Sequence, residues 1–241
     1  MSIAQSIEQY VDSMPAGQIF GYQSLPRYVQ SPSAVIKAVG RLVNAKRIKR
    51  LSKGKFYVPK EGILGAMKPS DSALIRSILY KGDRLRGYVT GMSLYNQLGL
   101  TTQVPRTIVI ACNGGSQTKN FGTIRIKIIS SRLPIQRSNV KLLQYLDALK
   151  DIKKISDSDI NLSLKIMQRK INALSAFEQE QLVELAEDYY SPQVRALTGL
   201  LMMSIDATIA ERLKNTLNPT TVFKLKLNPS IWPQARQWNI R

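Results

Sequence analysis

Histidine is absent from this chain, and cysteine occurs once, at Cys112. Without an imidazole there is no Ser-His-Asp or Cys-His relay, no His-ligated metal and no imidazole acid-base chemistry. A lone thiol closes no internal disulfide and builds no thiolate zinc site, which suits a reducing compartment. Cys112 therefore reads as a small buried apolar residue. Long apolar runs are missing too: no stretch approaches the ~20 residues that a bilayer span needs. Glu8 and Asp12 interrupt the first apolar stretch, where a leader would lie. The expected location is the cytoplasm, away from membranes. Acids are scarce, 16 against 35 Lys and Arg, for a formal net charge of +19. The paired ones, Asp157 with Asp159 and Glu184 with Glu187 and Asp188, fall on polar helix starts or faces and read as solvated. No catalytic set, cofactor or metal is expected, and the chain is read as a non-enzyme.

The positive charge is concentrated toward the N-terminus. Residues 1–60 hold ten Lys or Arg against two acids, residues 61–132 ten against three, and residues 133–241 fifteen against eleven. A field of that sign draws polyanions, but charge alone does not separate DNA from RNA, anionic lipid or an acidic protein.

Pattern narrows the choice. In SPSAVIKAVGRLVNAKRIKRLSKGKFYVP, residues 31–59, Ser31 stands where a helix cap would be and Pro32 in the first turn, where a missing N–H does no harm. Val35, Val39, Leu42 and Val43 repeat at helical spacing, while Ser33, Lys37, Arg41 and Asn44 fall on the opposite side. A strand from Ile48, a turn at Ser52-Lys53-Gly54 and a strand from Lys55 to Val58 then make a basic hairpin. Upstream, Ile3, Ile7, Tyr10 and Val11 mark a first helix, Gln18 to Phe20 a small strand, and Leu25 to Val29 a second, shorter helix. Helix, strand, helix, helix, hairpin is the order of a winged helix-turn-helix, whose recognition helix enters the major groove while its wing meets backbone.

The remainder is expected to be a mixed α/β body with a helix-rich C-terminal half, so the fold class is α+β. The domains are 1–60 and 69–241, joined by a connector from Pro59 to Lys68. Pro69-Ser70-Asp71 opens a helix that Gly82 ends, and Thr90 caps a short helix ending at Gly99. Strands are expected over Thr107–Ala111 and Thr123–Ser130, with Asn113 to Ser116 as a hairpin connection rather than a phosphate loop, whose spacing and Lys it lacks. Arg125 and Lys127 alternate with Ile124, Ile126 and Ile128, giving the second strand a cationic side, and Arg106 lies nearby in sequence. This second basic face reads as a solvated surface, an extra phosphate contact or a dock for an acidic partner. Helices follow near 140–155, 159–174, 176–189 and 192–215, with a capping box at Ser175 and Glu178. Thr221 to Leu227 reads as a returning strand before a tail holding Trp232 and Trp238.

The succession RLVNAKRIKRLSKGKFYVP (41–59), MKPSD (67–71), TGMSLYNQLGLTTQVP (90–105) and RTIVIACNGG (106–115) resembles the AbiEi-related type IV antitoxin family of bacterial abortive-infection operons. The resemblance covers about residues 1–135, and LGLTTQVP at 98–105 is its most specific block. It implies a winged-helix head that represses its own operon and a body with the antitoxin role, countering a nucleotidyltransferase-like toxin. The implied DNA contacts are Ser33, Lys37 and Arg41 on the helix and Lys53 and Lys55 on the wing, placed on double-stranded DNA at inverted repeats in the chain's own promoter, with a dimer bound there. The other reading, from a different class, is an RNA-binding or protein-binding adaptor that uses the same basic faces without sequence-specific DNA recognition.

Overall fold

A computed structural model describes residues 2–62 and 65–241. The chain is α+β and divides into two compact units, one ending at Arg84 and the other beginning at Leu85.

The first unit opens with α1 (Ile3–Asp12). Ser2 Oγ accepts from Gln5 N and Gln5 Oε1 accepts from Ser2 N, a reciprocal cap that satisfies two otherwise unpaired donors. Ile7 and Val11 face the core, whereas Tyr10, expected on the same stripe, is largely exposed. β1 (Ile19–Gly21) follows. The helix expected over Leu25–Val29 is absent: a 3-10 turn at Tyr22–Ser24 gives way to successive turns. Leu25 is extended ahead of Pro26, as the proline ring demands, and Arg27 has φ 60°, outside any right-handed helix. α2 (Pro32–Asn44) then buries Val35, Ala38, Val39 and Leu42. Ser31 stands at its N-cap without a side-chain capping bond, so the start rests on Pro32 and on the Val35 N–H to Ser31 carbonyl bond.

β2 (Lys49–Ser52) and β3 (Lys55–Tyr57) form the expected hairpin, with Gly54 at φ 71° in its turn. β1 pairs with β3 through Ile19↔Tyr57 and Phe20↔Phe56, giving an antiparallel sheet of order β1-β3-β2. Phe56, fully buried, meets Phe20 and Tyr22 with ring centroids 6.0 and 5.2 Å away, and ties the sheet to α1 and α2.

Of the expected connector, residues 63 and 64 lie outside the described residues. β4 (Lys60–Gly62) and β5 (Gly65–Met67) pair antiparallel, with Gly65 at φ 97°. Next, α3 (Asp71–Leu79) is capped by Ser70, whose Oγ accepts from Ala73 N. It ends at extended Tyr80 and not at Gly82, which lies between two short strands, β6 (Tyr80–Lys81) and β7 (Arg84–Leu85).

In the second unit, β8 (Gly87–Thr90) leads into α4 (Met92–Gln97) through Gly91 at φ 68°; Thr90 is a strand residue and does not cap that helix. β9 (Thr107–Cys112), β10 (Gln117–Asn120) and β11 (Arg125–Ser130) complete a sheet of order β10-β11-β9-β8. β9 and β11 are parallel, with Thr107↔Arg125 and Ala111↔Ile129 in register. Asn113 to Ser116 is thus a crossover to the edge strand β10, and the hairpin lies one strand later, between β10 and β11. At Gly87 a Cβ would sit 2.4 Å from Cys112 Sγ and 2.6 Å from the Ala111 carbonyl, so this strand approaches β9 only without a side chain.

The helix-rich half contains α5 (Val140–Lys150), α6 (Ile160–Asn172), α7 (Ala176–Tyr189), α8 (Pro192–Met202) and α9 (Ala207–Asn215). The helix expected over 192–215 breaks where Asp206 Oδ1 accepts from the N–H groups of Thr208 and Ile209 and starts α9. α8 is apolar nearly all round and is packed against by α5, α6, α7 and α9. In place of a returning strand, residues 221–227 are irregular, with Lys226 at φ 54° and with Phe223, Leu225 and Leu227 buried, and only Phe223 forms a bridge, parallel to Ile240. Trp232 and Trp238 both enter the core.

Candidate nucleic-acid interface

α2 presents two faces because its apolar residues recur at helical spacing. Ser33, Lys37, Arg41 and Asn44 are all exposed on the outer side. Among the described residues Lys37 and Arg41 make no ion pair, and neither does Lys53, exposed at the hairpin tip beside Gly54. Unpaired cations on a rigid helix remain available to an external anion.

Lys55, Arg47 and Arg50 of this segment are engaged. Lys55 differs from expectation: its ammonium donates to the Ser77 carbonyl at 2.7 Å, near the C-terminal end of α3, so it fastens the hairpin inward. Arg47 donates to Asp12 and lies 3.9 Å from Glu8; those two carboxylates, Asp12 foremost, hold its pKa above the ordinary arginine value. Arg50 stacks over the Phe56 ring with 5.7 Å to the centroid. The long-range partner of Arg47 on α1 and that of Lys55 on α3 carried no signal in the local pattern.

In the second unit, Arg125 and Lys127 project from one face of β11, in register with Asn120 and Thr118 of the edge strand β10. Ile126 and Ile128 point the other way and are buried, as the alternation requires. Arg106 is exposed one residue before β9, next to the Thr107 that pairs with Arg125. Lys119 belongs to the opposite face, paired with Ile126. At the β8 end the Arg125–Lys127 face is covered by α5, so the basic surface is confined to the β10–β11 side.

LGLTTQVP lies after α4 as an irregular segment fastened at three points. Asn96 Nδ2 donates to the Thr101 carbonyl at 3.2 Å, Thr101 Oγ1 to the Ser156 carbonyl at 2.8 Å, and Gln103 Nε2 to Asp157 Oδ2 at 2.5 Å. Val104 is left 83% exposed on this pinned loop.

A buried carboxylate escaped the sequence reading. Asp147, 8% exposed, accepts from Thr90 Oγ1 at 2.7 Å, Tyr88 Oη at 3.0 Å and Tyr190 Oη at 3.0 Å. Burial raises its pKa above the usual aspartate value, and the three hydroxyls partly offset that shift. Burial, followed by the Asp147 charge, raises the pKa of Tyr88 and Tyr190, which remain protonated donors. With donors only and no adjacent nucleophile, this cage fastens β8 to α5 and to the end of α7. The signal was an acid inside the apolar stripe Leu142, Leu143, Leu146, Leu149. Among the described residues no group of three or more Cys, Asp or Glu is placed to hold a metal ion, and no helix is long and apolar enough to cross a membrane.

The chain belongs to a family of unknown function, DUF6088, whose model matches residues 6–173, from α1 through α6. No curated protein matches it. Among solved structures it is similar to the crystal structure of the RV2827C protein from Mycobacterium tuberculosis, with a TM-score of 0.51 and 13% identity over 92% of this chain and 84% of that one. At that identity the likeness speaks to the fold, and it extends through both units.

Proposed function

We propose that the chain is a DNA-binding transcriptional repressor that reads its own promoter through α2, with the β2–β3 hairpin as a wing on the backbone. The observation that carries this reading is the outer face of α2, where Lys37 and Arg41 stand exposed without acidic partners, together with exposed Lys53 at the tip of the hairpin that follows. The head keeps the helix, strand, helix and hairpin of the winged-helix order around one core, with turns where the middle helix would stand, and an exposed cationic helix followed by such a hairpin would fit the major groove. Two copies on an inverted repeat would double the phosphate contacts available to so small a head.

The antitoxin role, against a nucleotidyltransferase-like toxin, is proposed from the resemblance to the AbiEi-related family and from the pinned loop that carries its most specific block. Arg125 and Lys127 on one face of β11, with Arg106 exposed just before β9, suit an acidic protein partner or a further stretch of DNA backbone. Footprinting of the purified chain on the promoter upstream of its gene tests the reading. Protection of a discrete inverted repeat is the expected result; uniform, salt-sensitive coating of any duplex, or preference for RNA, would replace it with the adaptor reading.

A further inference from the structure

Gly40 occupies a helix interior, where glycine is the least favourable residue after proline. Its backbone is ordinary right-handed helix, and a Cβ placed on it would meet nothing within 4 Å. Neither a turn, nor close packing, nor backbone strain calls for a glycine here.

Its position suggests what does. At about 100° per residue, Ser33, Gly40 and Asn44 fall along one line, opposite buried Val35, Ala38, Val39 and Leu42. Gly40 is midway along the centre of the exposed face. Ser33 and Asn44 on that line are short, while the longer Lys37, Arg41 and Ile36 flank it. Ile36 is 45% exposed, an apolar side chain on an otherwise polar face. A helix with its side chains is about as wide as the major groove, so its depth of entry is set by the residues at the face centre. A bare centre lets the backbone approach the base edges, and an apolar flank then meets the one apolar group displayed there, the thymine 5-methyl.

We propose that Gly40 is a close-approach position for the floor of the major groove and that Ile36 beside it packs on a thymine methyl, so that this pair sets part of the sequence preference. The inference rests on α2 being the DNA-reading helix. The full chain is used to select its preferred site from a random-sequence duplex library, and the selected duplex becomes the probe. Gly40→Ala is expected to melt at a higher temperature than wild type yet bind the selected duplex about tenfold more weakly, roughly the cost of one mismatched base pair. Its binding to mixed-sequence duplex should be unchanged. Replacing thymine by deoxyuridine in the probe should weaken wild type and leave Ile36→Ala indifferent. Wild-type affinity for the selected duplex in a folded Gly40→Ala variant, or equal sensitivity of wild type and Ile36→Ala to loss of the methyl, would overturn the inference while leaving DNA reading by α2 intact. Failure of the library to yield any preferred sequence would overturn both.

Discussion

Tyr190, just past the end of α7, donates its hydroxyl to Asp147 Oδ1 on α5 across 3.0 Å, while Tyr88 and Thr90 of β8 donate to the other oxygen. One buried carboxylate thus joins the sheet edge to two helices. Asp147→Ala would leave three hydroxyls facing a gap and is expected to cost about 2–4 kcal/mol, measured as a shift in urea midpoint at constant slope.

The same group sets a pH dependence. The folded pKa of Asp147 is raised by burial, so the native state binds its proton more tightly than the unfolded chain does. Its contribution is complete below the unfolded aspartate value and is lost as pH rises through the folded one. Asp147→Asn should therefore lower stability least at the alkaline end. The gap between wild type and the Asn variant, followed by chemical denaturation from about pH 4 to about pH 8, should move in the variant's favour as pH rises. Movement in favour of wild type would mean that the hydroxyls outweigh burial.

On DNA, reversing Lys37 or Arg41 to Glu is expected to abolish binding to the promoter site. Lys53→Ala should weaken binding to all sequences and reduce the log-affinity against log-salt slope by about one unit. Lys55→Ala should act differently, because its ammonium is engaged with Ser77. It is expected to lower stability by about 1 kcal/mol with little change in salt slope. Fluorescence anisotropy titrations at several salt concentrations, with a thermal melt of each variant, separate these outcomes.

Gly199, in the centre of α8, lies under the indole of Trp238. A Cβ there would fall 2.1 Å from Cζ3 and 2.2 Å from Cη2 of a ring that is 1% exposed. Gly199→Ala should cost about 1–3 kcal/mol through overpacking, despite the gain in helix propensity, and should alter tryptophan emission as the ring is displaced. A variant as stable as wild type, with unchanged emission, would contradict the packing described.

Dividing the chain between Arg84 and Leu85 should separate two activities. Residues 1–84 retain the β4–β5 hairpin, α3 and the Lys55–Ser77 bond, and should fold and bind the promoter more weakly than the full chain. A fragment ending at residue 60 lacks these and should melt lower. Under the proposed antitoxin role, residues 85–241 should protect cells from a toxin encoded alongside without repressing the promoter; protection by the first fragment alone would refute that division.

Some of this was legible from sequence because it is encoded locally. The two faces of α2 follow from the spacing of Val35, Val39 and Leu42, the hairpin from Lys53-Gly54 between strand-formers, the cap of α7 from Ser175 and Glu178, and the sidedness of β11 from its alternation. Composition alone removed imidazole and disulfide chemistry. Local reading failed where a proline or a positive φ interrupted a pattern that otherwise looked helical, as at Pro26 and Arg27.

Tertiary structure decided the rest. That β9 and β11 lie side by side and parallel, that Lys55 turns inward while Lys53 faces out, and that Asp147 is buried among hydroxyls 43 to 59 residues away are facts about partners distant in the chain. A side chain's neighbours along the sequence set its local dihedral preferences and the face it takes. Whether its charge is solvated, paired or caged depends on which remote segment packs against that face, and only the packed chain brings the two together.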